Sequence, residues 1–530
     1  MNRKIILLGI MIVAFLGLMA CGNPQEAIAQ AYPENDTYYE IFVRSFADSD
    51  DDGVGDFNGI TAKLGYLSDL GISGLWLMPI HPSPSYHGYD VSDYYGVNLD
   101  YGTMEDFDNL VIEADKVGIK IMLDMVFNHS SNEHPWFQAA LEGDETYMEY
   151  YNFIDNTVDT SSKLGSWNQS IWHSTSVGKY CGYFSYTMPD LNLNNQVVAD
   201  EIVNISKFWI DKGVMGFRLD AAHHFFGENE FIGETTSYLD NIVFLKSYTK
   251  SIDEYAENIY ITAEIYEEQL YQIVGDYFGA VDSPLDFPVA AQIRTAAQNN
   301  SNRRYATVLE DMYDYYRRIN RDFISAPFIV NHDMNRFASQ VLGNDVTLRL
   351  SLEMLLVLPG NPIIYYGEEM GMYGYKASGP DIWDETRRLP LLWGDEFTAD
   401  WLVSAHQDLI NVNNSNATID TVVNQLLDGE SLLNYYTTML KLRNDNIALK
   451  YGNSFVRYAD STSSLQGFYR EFEFENQHQK LLILHNFSET ELDMFVYDGT
   501  IIYVSGLTDL TDITKIPARS TVIIEINEAG

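Results

Sequence analysis

The sequence predicts an α/β fold: a (β/α)8 TIM barrel with an inserted domain after its third strand and a C-terminal antiparallel β-sandwich domain. Three observations predict it. From Thr37 onward, short apolar runs alternate with amphipathic stretches, eight runs in all. Those runs are almost continuously apolar, as strands covered on both faces require. Beyond Tyr451 the rhythm changes to short alternating strands in close succession.

Taken in order, residues 1–20 read as a secretory signal: Met-Asn-Arg-Lys, then the apolar run "IILLGIMIVAFLGLMA", which is short for a membrane span. Its ending, "LMAC", resembles a bacterial lipobox, in which Cys21 is lipidated and becomes the mature N-terminus. The alternative is ordinary cleavage near "AIAQA", Ala27 to Ala31. Residues 21–36 read as a linker. With Cys21 lipidated, Cys181 is the other cysteine, so no intrachain disulfide forms.

The barrel spans 37–129 and 197–450. Its strands are expected at "YYEIFV" (38–43), "SGLWLMP" (73–79), "KIMLDMVF" (120–127), "VMGFRLDA" (214–221), "IYITAEI" (259–265), "FGAVDS" (278–283, the weakest), "PFIVNH" (327–332) and "PIIYYG" (362–367). Val198, Ile202, Ile205 and Trp209 step by four, three and four, which is one face of a helix. No helical pattern is legible between "DMVFNHSS" and about Asn195, so 130–196 reads as a small inserted domain. "SLLNYYTTMLKLRND" (431–445) reads as the last barrel helix and 451–530 as the β-domain.

The chain is 530 residues long with a formal net charge of −44, and 76 acids remain in the exported protein. Such a field repels nucleic acid and anionic membrane and suits a neutral partner and bound cations. Contact with a membrane is expected through the lipid anchor alone, and the protein is expected to be a monomer.

In a barrel of this kind the working residues stand at the C-terminal ends of the strands. The third strand ends in Asp124, Asn128 and His129, the fourth in Arg218 and Asp220, the fifth in Glu264 and the seventh in His332 and Asp333. Arg218 and Asp220 are two apart and share a strand face. An isolated pair of this type is ordinarily a structural ion pair, but four strands converging polar groups on one rim call for chemistry.

The segments "DMVFNH", "GFRLDAAHH", "ITAEI" and "IVNHD" resemble the signature regions of the α-amylase family of glycoside hydrolases, in order, with "MPDLN" (188–192) as a fifth. The resemblance runs from about 32 to 525 and identifies the insertion with the family's domain B and the β-domain with its domain C. It implies a retaining α-glucan hydrolase cleaving α-1,4 bonds of starch or maltooligosaccharides, with Asp220 as nucleophile and Glu264 as general acid/base. Two carboxyls of opposite protonation about 5–5.5 Å apart are what retention requires. A cation at Arg218 would keep Asp220 ionised, and burial amid negative charge would let Glu264 hold its proton. Asp333 corresponds to the third family carboxylate, which grips sugar hydroxyls. His129 and His332 correspond to sugar-binding histidines and Tyr89 to the aromatic platform. Asp90 corresponds to an aspartate that contacts the terminal sugar in chain-end enzymes, and His224 to a leaving-side position. His223 stands where many relatives carry lysine.

"DSDDDGVGD" (48–56) offers oxygens at Asp48, Asp50, Asp52 and Asp56 and the Val54 carbonyl. The spacing resembles the start of an EF-hand loop, although Gly59 stands where that loop has its bidentate glutamate. The resemblance implies structural Ca2+ here, and a second calcium at Asn128, Asp190 and the backbone near His224. "MPDLN" leans toward the neopullulanase-like branch, so cyclomaltodextrinase-like or α-glucosidase activity is the alternative. A non-catalytic glucan-binding lipoprotein is the remote one; such a protein would be expected to lack Asp220 or Glu264, and both are present.

Overall fold

The computed structural model describes residues 28, 31, 35–226, 238–300, 304–379 and 382–527; the signal segment and Cys21 lie outside the described residues. Tyr38–Ile41, Gly74–Leu77, Lys120–Met125, Gly216–Leu219, Tyr260–Ala263 and Ser283–Pro284 pair in parallel in that order, and Ile363–Tyr365 pairs with the first. Residues 326–328 complete the ring, bridged in parallel to Leu285 on one side and to Ile363 on the other. These are the eight staves of a (β/α)8 barrel.

Period-two alternation decides what faces inward. Tyr38, Trp76, Met122 and Tyr260 form an inner cluster with Leu285, Phe328 and Ile363, whereas their chain neighbours Tyr39, Leu75, Ile121 and Ile261 join the outer core beneath the helices. Tyr38 and Tyr260 stack across the ring at 5.3 Å between centroids. Gly74 makes that possible, because a Cβ there would fall 2.4 Å from the Tyr38 ring. Continued toward the C-terminal ends, the same parity turns Glu40, Asp124 and Arg218 inward. An aromatic plug therefore fills the bottom of the barrel and charge fills the top.

Helix Gln196–Asp211 buries Val198, Ile202, Ile205 and Trp209, the predicted face. Ser431 caps Leu432–Asp445 through Asn434 N–H. Three expectations need correction. The seventh stave, expected at 327–332, is reduced to the bridges at Ala326 and Phe328. The sixth stave is the two residues Ser283–Pro284, and Phe278 lies in a 3-10 turn, Tyr277–Gly279. The stretch 130–196 is also partly helical, with Pro135–Leu141 and Glu145–Met148. Both helices are too short to show a periodicity; their signal is capping, by His134 with Pro135 at the first helical position and by Asp144. They pack beside a three-stranded antiparallel sheet in which Lys179–Cys181 lies between Phe153–Ile154 and Trp172–Ser174. A bridge between His129 and Asp190 ties this unit to the end of the third stave.

After the barrel, Leu465–Phe474 and Gln477–Asn486 form a hairpin within a five-stranded antiparallel sheet, and Leu492–Asp493 pairs with Lys515–Ile516 in a second, two-stranded sheet. Alternation again sorts the residues. Leu481, Ile483 and Ile523 face the main core, while Leu482, Leu484, Val522 and Ile524 form the β-domain's own core.

Candidate active site

Arg218 is the centre of the rim. Its fully buried guanidinium donates from Nη1 to Asp124 Oδ1 and to Asp220 Oδ1, both at 2.7 Å, and its Nη2 lies 3.0 Å from Glu264 Oε2. The indole of Trp76 lies beneath it, 5.1 Å away. Asp220 and Glu264 thus hang on one planar fork, and their oxygens lie no more than about 8 Å apart, two contacts plus the width of the fork. Both carboxyls stay partly open to solvent. Ala221, between them, donates its N–H to Glu264 Oε2 at 2.9 Å and holds φ +47°, a left-handed conformation costly for a residue with a Cβ.

One cation serves three acids. Burial pushes Asp220 well above the usual carboxylate range; Arg218 opposes this, while Glu264, Asp124 and Asp333 add to it. Burial likewise raises Asp124. The guanidinium orients Asp220 and opposes, without cancelling, the effect of its burial.

Asp333 stands at the mouth, its side chain half exposed. Arg388 Nη2 donates to its Oδ1 at 2.8 Å and His332 Nε2 lies 3.2 Å from its Oδ2. Although its surroundings tend to raise it, His332 and Arg388 hold Asp333 well below the usual carboxylate range. On its other nitrogen His332 contacts the buried Glu40, and Asp333 and Glu40 together raise the imidazole to about 10 against its burial. Tyr89 stacks on His332, with its hydroxyl 2.6 Å from Nε2 and 3.1 Å from Asp124 Oδ2.

The remaining predicted residues gather nearby. His129 Nε2 lies 3.1 Å from the Tyr89 carbonyl, and burial lowers the ring to about 3, so it is neutral. Asp90 accepts from the hydroxyls of Ser83 and Ser85 and lies 4.0 Å from His87. His224 packs on Tyr183 at 4.2 Å. Glu40 and Arg388 were missed by sequence reasoning. Glu40 had a signal, a lone charge with the inward parity of Tyr38; Arg388 sits in irregular chain and had none.

In the acidic loop, Asp48, Asp50 and Asp56 bring carboxylate oxygens within 4.8 Å of one another. Asp52 stands outside that cluster, its carboxylate accepting the Val54 N–H at 2.8 Å. Asp48 also accepts from the N–H groups of Asp50, Asp51 and Gly53, and Asp56 from Gly59 at the start of helix Phe57–Ala62. Three carboxylates with no lysine or arginine paired to them among the described residues are a donor set that fits a hard divalent cation. At the other corner Asn128 donates to Asp190 Oδ1 at 3.2 Å and Tyr183 N–H to Oδ2 at 3.1 Å, a site with one carboxylate whose oxygens both serve protein donors.

The family described as "Alpha amylase, catalytic domain" matches residues 40–452. "Alpha-amylase 3" of Dictyoglomus thermophilum is 35% identical over 502 residues, covering 93% of each chain. A "4-alpha-glucanotransferase" of Thermotoga maritima is 35% identical over 339 residues, 63% of this chain and 72% of that one. The crystal structure of alpha-amylase from H. orenii superimposes with a TM-score of 0.82 at 34% identity, covering 93% of this chain and all of that one. The carboxyl-rich rim, the barrel that carries it and these matches agree: the chain belongs to the α-amylase family of glycoside hydrolases and transferases.

Proposed function

We propose that the protein is a retaining α-glucan hydrolase that cleaves α-1,4 bonds of starch-like chains through a covalent glycosyl-enzyme intermediate. The observation that carries this reading is the single guanidinium presenting Asp220 and Glu264 to one space at the barrel mouth. Glu264 gives its proton to the glycosidic oxygen as the C1–O bond breaks and an Asp220 oxygen bonds to C1. Water then attacks C1, losing its proton to Glu264 and releasing Asp220. Asp333, held charged by His332 and Arg388, takes the hydroxyls of the sugar being cleaved.

A second reading, transglycosylation or chain-end α-glucosidase action, is favoured by the glucanotransferase relative and by the buried Asp90 beside His87. A product time course on starch, pullulan and cyclodextrin tests both. Early long maltooligosaccharides support the first reading. Glucose as the sole product supports an α-glucosidase, panose from pullulan a neopullulanase, and no release of reducing sugar sinks the hydrolase.

Calcium belongs to this proposal. Asp48, Asp50 and Asp56 would hold it, where it would neutralise the loop and pin it to the barrel; the corner of Asn128, Asp190 and His224 is the second place to seek the ion. Export and lipid anchoring through Cys21 belong to it as well: Cys21→Ser would move the protein from the membrane fraction to the medium.

A further inference from the structure

Arg388 has an unusual mount for a residue in irregular chain. Its guanidinium lies 5.9 Å above the ring of Tyr86, and Tyr86 in turn stacks on Trp401 at 5.7 Å with planes 20° apart. Trp401 also reaches Arg388 by a second route. Its indole N–H donates to Ser45 Oγ at 2.8 Å, and the same hydroxyl donates to the carbonyl of Arg388. One indole therefore supports both the side chain and the backbone of the arginine that orients Asp333. Trp401 has its own anchor, because Asp48 N–H donates to the Phe397 carbonyl and Asp400 N–H to the Gly53 carbonyl, which fixes the 397–401 segment to the acidic loop.

We propose that Trp401, which no element of the catalytic rim contains, is a positioning residue for the reaction: through Tyr86 and Ser45 it fixes Arg388, and through Arg388 it sets the orientation of Asp333. The physical reason is the half-exposed state of that carboxylate. A side chain open to water is not held by packing and keeps one direction only where its hydrogen-bond donor is itself immobile. A buried arginine clamped from ring and carbonyl is such a donor. Misdirecting Asp333 would cost interactions formed most strongly at the transition state, so the loss falls on kcat more than on KM.

The inference rests on the role given to Asp333 above, and a double-mutant cycle separates the two. Steady-state rates on a maltooligosaccharide are measured for Trp401→Ala, Trp401→Phe, Asp333→Asn and the pair Trp401→Ala/Asp333→Asn, with melting temperatures alongside. Trp401→Ala is expected to lower kcat about tenfold with KM changed by less than about threefold, and Trp401→Phe to recover part of it, since it restores the stack but not the N–H to Ser45. In the Asp333→Asn background the Trp401→Ala change should cost less than about twofold, because its effect runs through the missing carboxylate. Full additivity of the two changes, or a loss in Trp401→Ala confined to melting temperature, overturns the proposal. An Asp333→Asn enzyme as active as wild type overturns the underlying assignment instead. Should Trp401→Ala fail to fold, Ser45→Ala replaces it in the cycle, since it removes the relay hydroxyl with little change of volume; the same non-additivity is required of it.

Discussion

Asp220 and Glu264 share one guanidinium: Arg218 reaches the first at 2.7 Å and the second at 3.0 Å. The two carboxyls come from neighbouring staves in parallel register, so the distance between them is a property of the barrel and of one side chain, not of a mobile loop.

Their roles can be separated by leaving group. Asp220→Asn should lose at least about three orders of magnitude in kcat on starch and on an activated aryl maltoside alike, since no bond to C1 can form. Glu264→Gln should lose about 10²–10⁴ on starch but far less on the aryl maltoside, whose leaving group departs without a proton. Equal losses of Glu264→Gln on both substrates would reverse the assignment.

Arg218→Ala leaves the buried Asp124 and its neighbours without their cation. Stability should fall by about 3–5 kcal/mol, read from urea unfolding, because the removed partner of a buried pair leaves uncompensated charge. The addition of Asp124→Asn should restore part of it.

The pH dependence has an alkaline and an acidic component. His332 at about 10 in the folded protein stands above its ordinary 6.5. Its contribution is therefore fully present below about pH 6.5 and disappears as pH rises through about 10. His332→Gln should flatten the decline of stability between about pH 7 and pH 10 relative to wild type. His81 is the opposite case: it is buried, with both ring nitrogens unpartnered among the described residues, and burial lowers it to about 3. It is neutral above its ordinary value, and its penalty grows as pH falls from about 6.5 toward 3. His81→Met should reduce acid destabilisation without changing the alkaline limb.

Chelation should lower the melting temperature of wild type, with about 2.7 kcal/mol at stake when free Ca2+ had been a hundredfold above Kd. Asp50→Asn is the informative variant, because Asp50 is exposed and caps no helix, whereas Asp56 also caps Phe57–Ala62. That variant should unfold at the temperature of the chelated wild type and ignore the chelator. A chelator-insensitive wild type would remove the ion from this loop.

The sequence by itself determined the barrel and placed Asp220, Glu264 and Asp333 where its strands end. Each was legible for a local reason: apolar runs of strand length, a helix face at Val198, Ile202, Ile205 and Trp209, and charges standing where buried strands end. It did not reveal the helices at 135–148, which are too short to show a period, or the seventh stave's reduction to two bridges. Nor did it reveal that Arg218 serves three acids, that Asp52 turns away from the other loop carboxylates, or that Arg388 and Trp401 stand behind Asp333. Except for the local turn that takes up Asp52, those facts depend on contacts between residues tens to hundreds of positions apart, such as Arg218 with Asp124. Periodicity and capping are written along the chain, whereas the sharing of one cation or one indole exists only once the staves and loops have been brought together in space.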